Sequence, residues 1–134
     1  MKGKKTMPSM ELMALELASN MAVNIAPTLG VDKKSITLWS DSATVLYWVS
    51  LEEKRLLMFV KNRCLSICQR VPLDQIRWVP GHFNPADIGT RGIVVKDFRD
   101  NQLWKFGPDF LWKTGVAGQK EPAPQQFQRK QRRK

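Results

Sequence analysis

The chain has 134 residues, a formal net charge of +10, 25% charged residues and 43% hydrophobic residues. Its length fits one domain with tails and is too short for two ordinary domains. No apolar run approaches the ~20 residues that span a bilayer, and the lysine-rich start does not lead into an apolar stretch of signal type. We therefore expect an intracellular protein, cytoplasmic or nuclear.

The positive charge is concentrated at the two ends. Residues 1–5 carry +3 and residues 119–134 carry +5, which leaves +2 for residues 6–118. Residues 115–134 are rich in Gly, Gln, Pro, Lys and Arg, a composition that predicts a disordered basic tail. Such ends bind a polyanion or serve only to keep a protein soluble, and the charge alone does not decide between these roles.

The first predicted element is a helix of about five turns that begins at Pro8 and ends near Pro27. Apolar residues at helical spacing form one stripe along it, namely Met10, Met13, Ala14, Leu17, Met21 and Ile25. Glu11 falls in the predicted first turn, where the helix dipole favours an anion and alone accounts for a glutamate. Glu16 is predicted to lie on the surface.

A strand, a carboxylate and a helix then follow one another directly. Residues 36–40 are β-prone, Asp41 comes next, and Ser42 is a natural N-cap for a helix over residues 43–49. Because ligands of α/β proteins bind at the carboxyl ends of strands, the pattern places Asp41 at a candidate site. The alternative, that Asp41 only helps to cap the helix, stays open.

Over residues 56–70, apolar side chains recur every three or four residues, which predicts a second long helix. Its Cys64 and Cys68 are expected to be buried thiols, since one histidine in the whole chain leaves a zinc site short of ligands. Residues 75–79 predict a second strand. The helical segments between the two strands indicate a parallel crossover.

The segment after the second strand, residues 81–88, contains a second candidate site. Asn84 is a natural N-cap, and Asp87 then lies in the first turn of a short helix that ends at Gly89 or Gly92. His82 lies just before it on a mobile-looking loop. A lone histidine is more often structural than catalytic, and both roles stay open for His82.

Three carboxylates, Glu11, Asp41 and Asp87, thus occupy comparable positions beside predicted strands. We expect them to converge at the carboxyl edge of one sheet. Clustered carboxylates repel each other unless cations lie between them, and hard divalent ions such as Mg²⁺ or Mn²⁺ prefer oxygen ligands. The pattern therefore predicts a divalent metal site.

Several motifs carry a family resemblance. SMELMA at 9–14, WSDS at 39–42 and WVPGH at 78–82, with Asp87 beyond, resemble in order and approximate spacing the motifs of the ribonuclease H fold. More narrowly, TMPSMEL at 6–12, FVKNR at 59–63, NPADIGTRG at 84–92 and LWKFGPDFL at 103–111 resemble the ribonuclease H region of BEL/Pao-type retrotransposon polyproteins. The resemblance covers about residues 6–112. It implies an α/β fold, a partial ribonuclease H-like domain over residues 6–92 whose small, mainly parallel sheet is flanked by helices.

The resemblance also implies a function. It implies an endonuclease that cuts the RNA strand of an RNA–DNA hybrid with two Mg²⁺ ions. Glu11, Asp41 and Asp87 would be the metal ligands, and His82 would assist proton transfer or product release. Two ions roughly 4 Å apart activate the attacking water and stabilise the leaving oxygen.

The sequence departs from this family at its start. The family opens with three antiparallel strands, the first of which carries another aspartate, whereas no acidic residue precedes Glu11 here. We therefore expect weak metal binding and negligible cleavage by this chain alone. We also expect a bare edge on the strand before Asp41, where another polypeptide would supply the missing strands. Two alternatives are a non-catalytic nucleic-acid-binding protein and a small basic structural protein.

Residues 93–114 form an aromatic extension beyond the predicted domain. Its aromatic side chains are Trp104, Phe106, Phe110 and Trp112. We expect a loop that packs back onto the domain rather than a platform for stacked bases.

Overall fold

The structure is a computed structural model that describes residues 6–51 and 56–113. The predicted basic ends, residues 1–5 and 115–134, lie outside this part. The chain forms two compact units, the first ending at Trp78 and the second beginning at Val79. Among the residues described, no helix combines the length and hydropathy that crossing a membrane requires.

The described residues of the first unit, 6–51 and 56–78, form three helices, two strands and two short 3₁₀ turns. In chain order these elements are α1 (Met7–Ile25), a 3₁₀ turn (Lys33–Ser35), β1 (Leu38–Ser40), α2 (Ala43–Ser50), α3 (Met58–Arg70), a second 3₁₀ turn (Leu73–Gln75) and β2 (Ile76–Trp78).

The two strands pair in parallel. Leu38 lies opposite Ile76, and Ser40 lies opposite Trp78. A parallel pair requires a crossover connection, and α2 and α3 provide it. The predicted α/β class and the parallel crossover are therefore confirmed.

The core of the first unit lies between α1, α2, α3 and the strands. α1 contacts α2, α3 and β1, while α2 contacts α3 and both strands. The buried side chains of this core are Leu12, Leu15, Leu38, Val45, Val49, Val60, Cys64, Ile67, Val71 and Ile76. Burying such aliphatic side chains stabilises the fold by roughly 1.5–3 kcal/mol each, so the helices hold a sheet that is too small to be stable alone.

α1 differs from its prediction in start and in orientation. It begins at Met7, so Glu11 lies in the second turn, and the first turn contains no acidic residue. The helix dipole therefore does not account for Glu11. The face that packs on the core contains Leu12, Leu15 and Ser19, whereas most of the predicted apolar stripe is exposed.

Side-chain contacts also connect α1 to α3. Arg63 Nε lies 3.5 Å from Glu16 Oε2, and both side chains are half-buried. The Arg63 guanidinium also lies 3.6 Å from the centre of the Phe59 ring. Glu16, predicted to lie on the surface, is partly exposed and takes part in an ion pair between α1 and α3.

The two cysteines of α3 have different environments. Cys64 is buried in the core and Cys68 is exposed, so the prediction of two buried thiols is right only for Cys64. Burial, followed by the neighbouring charge of Cys68, raises the pKa of Cys64 from 9.0 to about 11. The pKa of Cys68 is also raised by partial burial of its sulfur, although the residue as a whole is exposed.

The described residues of the second unit, 79–113, form short helices and a 3₁₀ turn. Its elements are a 3₁₀ turn (Gly81–Phe83), α4 (Pro85–Arg91), α5 (Val95–Asp100), α6 (Gln102–Phe106) and α7 (Phe110–Lys113). α4 contacts α6 and the 3₁₀ turn. The aromatic segment predicted to be a loop therefore forms helices.

A glycine turn folds α7 back toward α6. Gly107 has a φ of 71°, a left-handed conformation that favours glycine. Beyond this turn, Trp112 Nε1 donates a hydrogen bond to the Phe106 carbonyl oxygen at 2.6 Å. Both aromatic side chains remain largely exposed, whereas the Phe110 ring packs against Phe83 of the predicted domain.

Candidate active site

Asp41 lies where the sequence predicts it, between the end of β1 and the start of α2. The neighbouring Ser42 is the N-cap of α2, and its Oγ accepts a hydrogen bond from the Val45 N–H at 3.3 Å. The Ser42 N–H in turn donates to Ser40 Oγ at 3.2 Å. These bonds fix the junction and leave Asp41 exposed to solvent.

Glu11 reaches this junction from α1. Ser42 Oγ donates a hydrogen bond to Glu11 Oε2 at 2.5 Å, a distance typical of a charge-assisted bond. One hydroxyl therefore caps α2 and also binds the carboxylate of a residue 31 positions earlier. Glu11 and Asp41 thus belong to one corner of the first unit, linked through Ser42.

Asp87 lies in the first turn of α4, as predicted. Asn84 is the N-cap of this helix, and its side chain accepts a hydrogen bond from the Ala86 N–H at 3.2 Å. The Asp87 carboxylate forms an ion pair with Arg91, with Oδ2 2.8 Å from a guanidinium nitrogen. The i, i+4 spacing of Asp87 and Arg91 is a signal that predicts this pair.

His82 is held in the 3₁₀ turn, not in an irregular loop. Its ring centre lies 4.1 Å from that of Phe83, and the Phe83 ring packs edge-on against Phe110 at 6.4 Å. The imidazole is exposed. His82 is therefore available to solvent but borders an aromatic cluster.

The four predicted site residues divide between the two units. Glu11 and Asp41 lie in the first unit, and His82 and Asp87 lie in the second. Within residues 6–51 and 56–113, no three His, Cys, Asp or Glu side chains form a group that could hold a metal ion. Glu11 and Asp41 have the oxygen chemistry that a hard cation prefers, but they are only two side chains.

The parallel strand pair and the helices that flank it agree with the α/β fold that the family resemblance implies. Residues 1–42, about a third of the chain, match the family model of the Pao retrotransposon-like RNaseH-like domain. The match confirms the BEL/Pao resemblance over this segment, which contains Glu11 and Asp41. Neither a curated protein nor a solved structure matches the chain.

Sequence reasoning missed the second role of Ser42. The pattern around residues 40–45 identified it as an N-cap, a local role that is confirmed. Its bond to Glu11 joins residues 31 positions apart, and no local pattern contains such a contact. One signal in the sequence pointed to this contact: Ser42 and Glu11 both lie in motifs that resemble the same family, and such motifs often converge on one site.

Proposed function

We propose that this chain is a retroelement ribonuclease H-like domain that contacts RNA–DNA hybrids and, by itself, cuts them at a negligible rate. The single observation that carries this proposal is the Ser42–Glu11 hydrogen bond, which ties the Glu11 carboxylate to the residue that follows Asp41 at the end of β1. The family match over residues 1–42 supports the assignment to this class.

The expected lack of cleavage follows from the number of ligands. Mg²⁺ is often held by one or two carboxylates together with waters and substrate phosphate. Glu11 and Asp41 would hold one such ion weakly, and that ion would stabilise negative charge on a phosphate oxygen. Cleavage by two ions requires further protein ligands to hold both.

The test is a cleavage assay on the full chain. A hybrid with labelled RNA is incubated with Mg²⁺ or Mn²⁺ beside two variants, Asp41→Asn and Asp74→Asn. Asp74 is an exposed acid in a 3₁₀ turn, so its variant makes the same change of charge away from the site. We expect all three proteins to leave the RNA intact. Cutting by the wild type and by Asp74→Asn, but not by Asp41→Asn, would contradict the proposal.

Binding to the hybrid is a separate part of the proposal. Both ends of the chain are strongly basic, and each phosphate neutralised by a cation contributes about −0.9 to the slope of log affinity against log salt on a duplex. We expect measurable hybrid binding with a steep salt dependence. Changing the five basic residues among 129–134 to glutamine should make this slope shallower. Affinity that does not change with salt would favour the alternative of a basic structural protein.

A polypeptide partner is also expected at β1. In the described part of the first unit, the sheet consists of β1 and β2 alone, and each strand has three residues. So small a sheet is normally extended by further strands. We propose that a strand from another polypeptide, or from another part of a retroelement polyprotein, pairs beside β1.

A further inference from the structure

α1 is apolar on two opposite faces. One face packs on the core through Leu12, Leu15 and Ser19. The other exposes large side chains, with Leu17 59% exposed and Met21 52% exposed. An exposed apolar surface of this kind commonly marks a binding site, so a partner is expected on the outer face.

The outer face has the spacing of a helix-packing seam. We call this set of residues the α1 seam: Met7, Met10, Ala14, Leu17 and Met21, followed by Asn24. Steps of three and four alternate without interruption along it, which is the heptad pattern of two packed helices. All six residues are exposed.

The chemistry of this face excludes a polyanion as its partner. None of the exposed residues of α1 is charged, although the chain carries a net charge of +10. The exposed polar side chains of α1 are Asn20 and Asn24, and Asn24 Nδ2 donates a hydrogen bond to Asn20 Oδ1 at 3.2 Å. Because these amides already pair with each other, covering them costs less than burying unpaired groups.

We propose that the α1 seam binds the same seam of a second copy of this chain, with the two helices antiparallel. When two copies of α1 are aligned about the midpoint of the seam, Met10 lies opposite Met21 and Ala14 lies opposite Leu17. The small Ala14 then faces the larger Leu17, which gives a self-complementary surface of the kind that a two-fold dimer requires.

Charge selects the antiparallel arrangement. Three lysines, at positions 2, 4 and 5, directly precede α1. A parallel pair would bring two such groups together, whereas an antiparallel pair places them at opposite ends of the seam. One pair of five-turn helices buries less than the roughly 800 Å² per partner of a standard interface, so the dimer should dissociate at about micromolar concentrations.

Sedimentation equilibrium of the full chain tests self-association. We expect a monomer–dimer equilibrium that Leu17→Lys abolishes, because the substitution places two charges in an apolar seam. Tyr47→Lys is the matched control, since Tyr47 is 50% exposed on α2, and it should dimerise like the wild type. Circular dichroism verifies that both variants fold. A wild-type monomer at 100 times the expected dissociation constant would overturn the proposal.

Cysteine cross-linking tests the direction of the helices. In a Cys68→Ser background, with Cys64 buried, the variants Ala14→Cys and Leu17→Cys are oxidised separately and as a mixture. The antiparallel seam predicts that the mixture forms a disulfide-linked pair and that each variant alone forms little. Cross-linking of Ala14→Cys alone would indicate parallel helices and overturn the proposal.

Adding RNA–DNA hybrid to these samples tests whether the α1 seam binds nucleic acid instead of a second copy of the chain. We expect Leu17→Lys to abolish self-association and to leave hybrid affinity unchanged or higher. A loss of hybrid binding without any loss of self-association would assign the seam to nucleic acid and overturn the proposal. This outcome is independent of the cleavage and salt experiments, which do not depend on the α1 seam.

Discussion

Removing the Ser42 hydroxyl should break the hydrogen bonds that hold Glu11 and the start of α2 together. In Ser42→Ala, the Val45 N–H loses its capping partner and Glu11 loses its hydrogen-bond donor. Ser42 is only 9% exposed, so water replaces the lost partners poorly. The substitution should therefore lower the free energy of unfolding and also loosen the first turn of α2.

The magnitude follows from the two bonds. Loss of an N-cap costs about 1 kcal/mol. A hydrogen bond to a charged group contributes about 1.5–3 kcal/mol, and the lower value applies because the half-buried Glu11 regains some hydration. The sum is about 2.5 kcal/mol. With a urea m value of about 1–1.5 kcal/mol/M, the unfolding midpoint should fall by roughly 2 M.

Urea unfolding followed by circular dichroism measures this change. Ser50→Ala is the matched control, because the exposed Ser50 hydroxyl donates a local hydrogen bond to the Tyr47 carbonyl at the far end of α2. It should change stability by less than about 0.5 kcal/mol. Glu11→Gln keeps an acceptor for Ser42 and should cost about half as much as Ser42→Ala. Hydrogen exchange at the Val45 amide gives a local readout, which should accelerate in Ser42→Ala. Equal stabilities of Ser42→Ala and Ser50→Ala would refute the reasoning.

Two further predictions concern α3 and the second unit. Iodoacetamide at pH 8 should label Cys68 in the folded protein and Cys64 only after unfolding, because burial raises the Cys64 pKa to about 11 and shields its sulfur. Mass spectrometry of the two sites measures the labelling rates. Equal rates at Cys64 and Cys68 in the folded protein would contradict the prediction. Gly107→Ala should destabilise the second unit by about 1 kcal/mol or more, since φ is 71° and the new Cβ would lie 3.1 Å from a Leu111 methyl carbon. Gly89→Ala, with open space around its new Cβ, is the thermal-unfolding control and should not lower the melting temperature; equal effects would disprove the strain argument.

The features predicted correctly from the sequence are those with local causes. Ser42 caps α2 and Asn84 caps α4 because a short polar side chain accepts from backbone N–H groups two or three residues ahead. Pro85 then starts α4 because its missing N–H is not needed there. The parallel strand pair was predictable for a similar reason, since two β-prone runs separated by helices favour a crossover.

The orientation of α1 was not predictable in the same way. The most regular apolar series, which includes Met10, Leu17 and Met21, is exposed, while Leu12 and Leu15 on another face are fully or almost fully buried. Both faces are apolar, so periodicity identifies the helix but does not select the face that packs on the core. Contacts between distant residues, such as Glu16 with Arg63, make that selection.

The carboxylates differ in what a cation would have to displace. At Asp87, an incoming ion would compete with Arg91, whose side chain is 79% exposed, and exposed ion pairs contribute little to stability. At Glu11, one oxygen accepts the bond from the mostly buried cap Ser42, and breaking that bond would destabilise α2. A cation at this corner would therefore use the other Glu11 oxygen together with the exposed Asp41. The fold would therefore limit how strongly Glu11 binds a metal, whatever the number of other ligands.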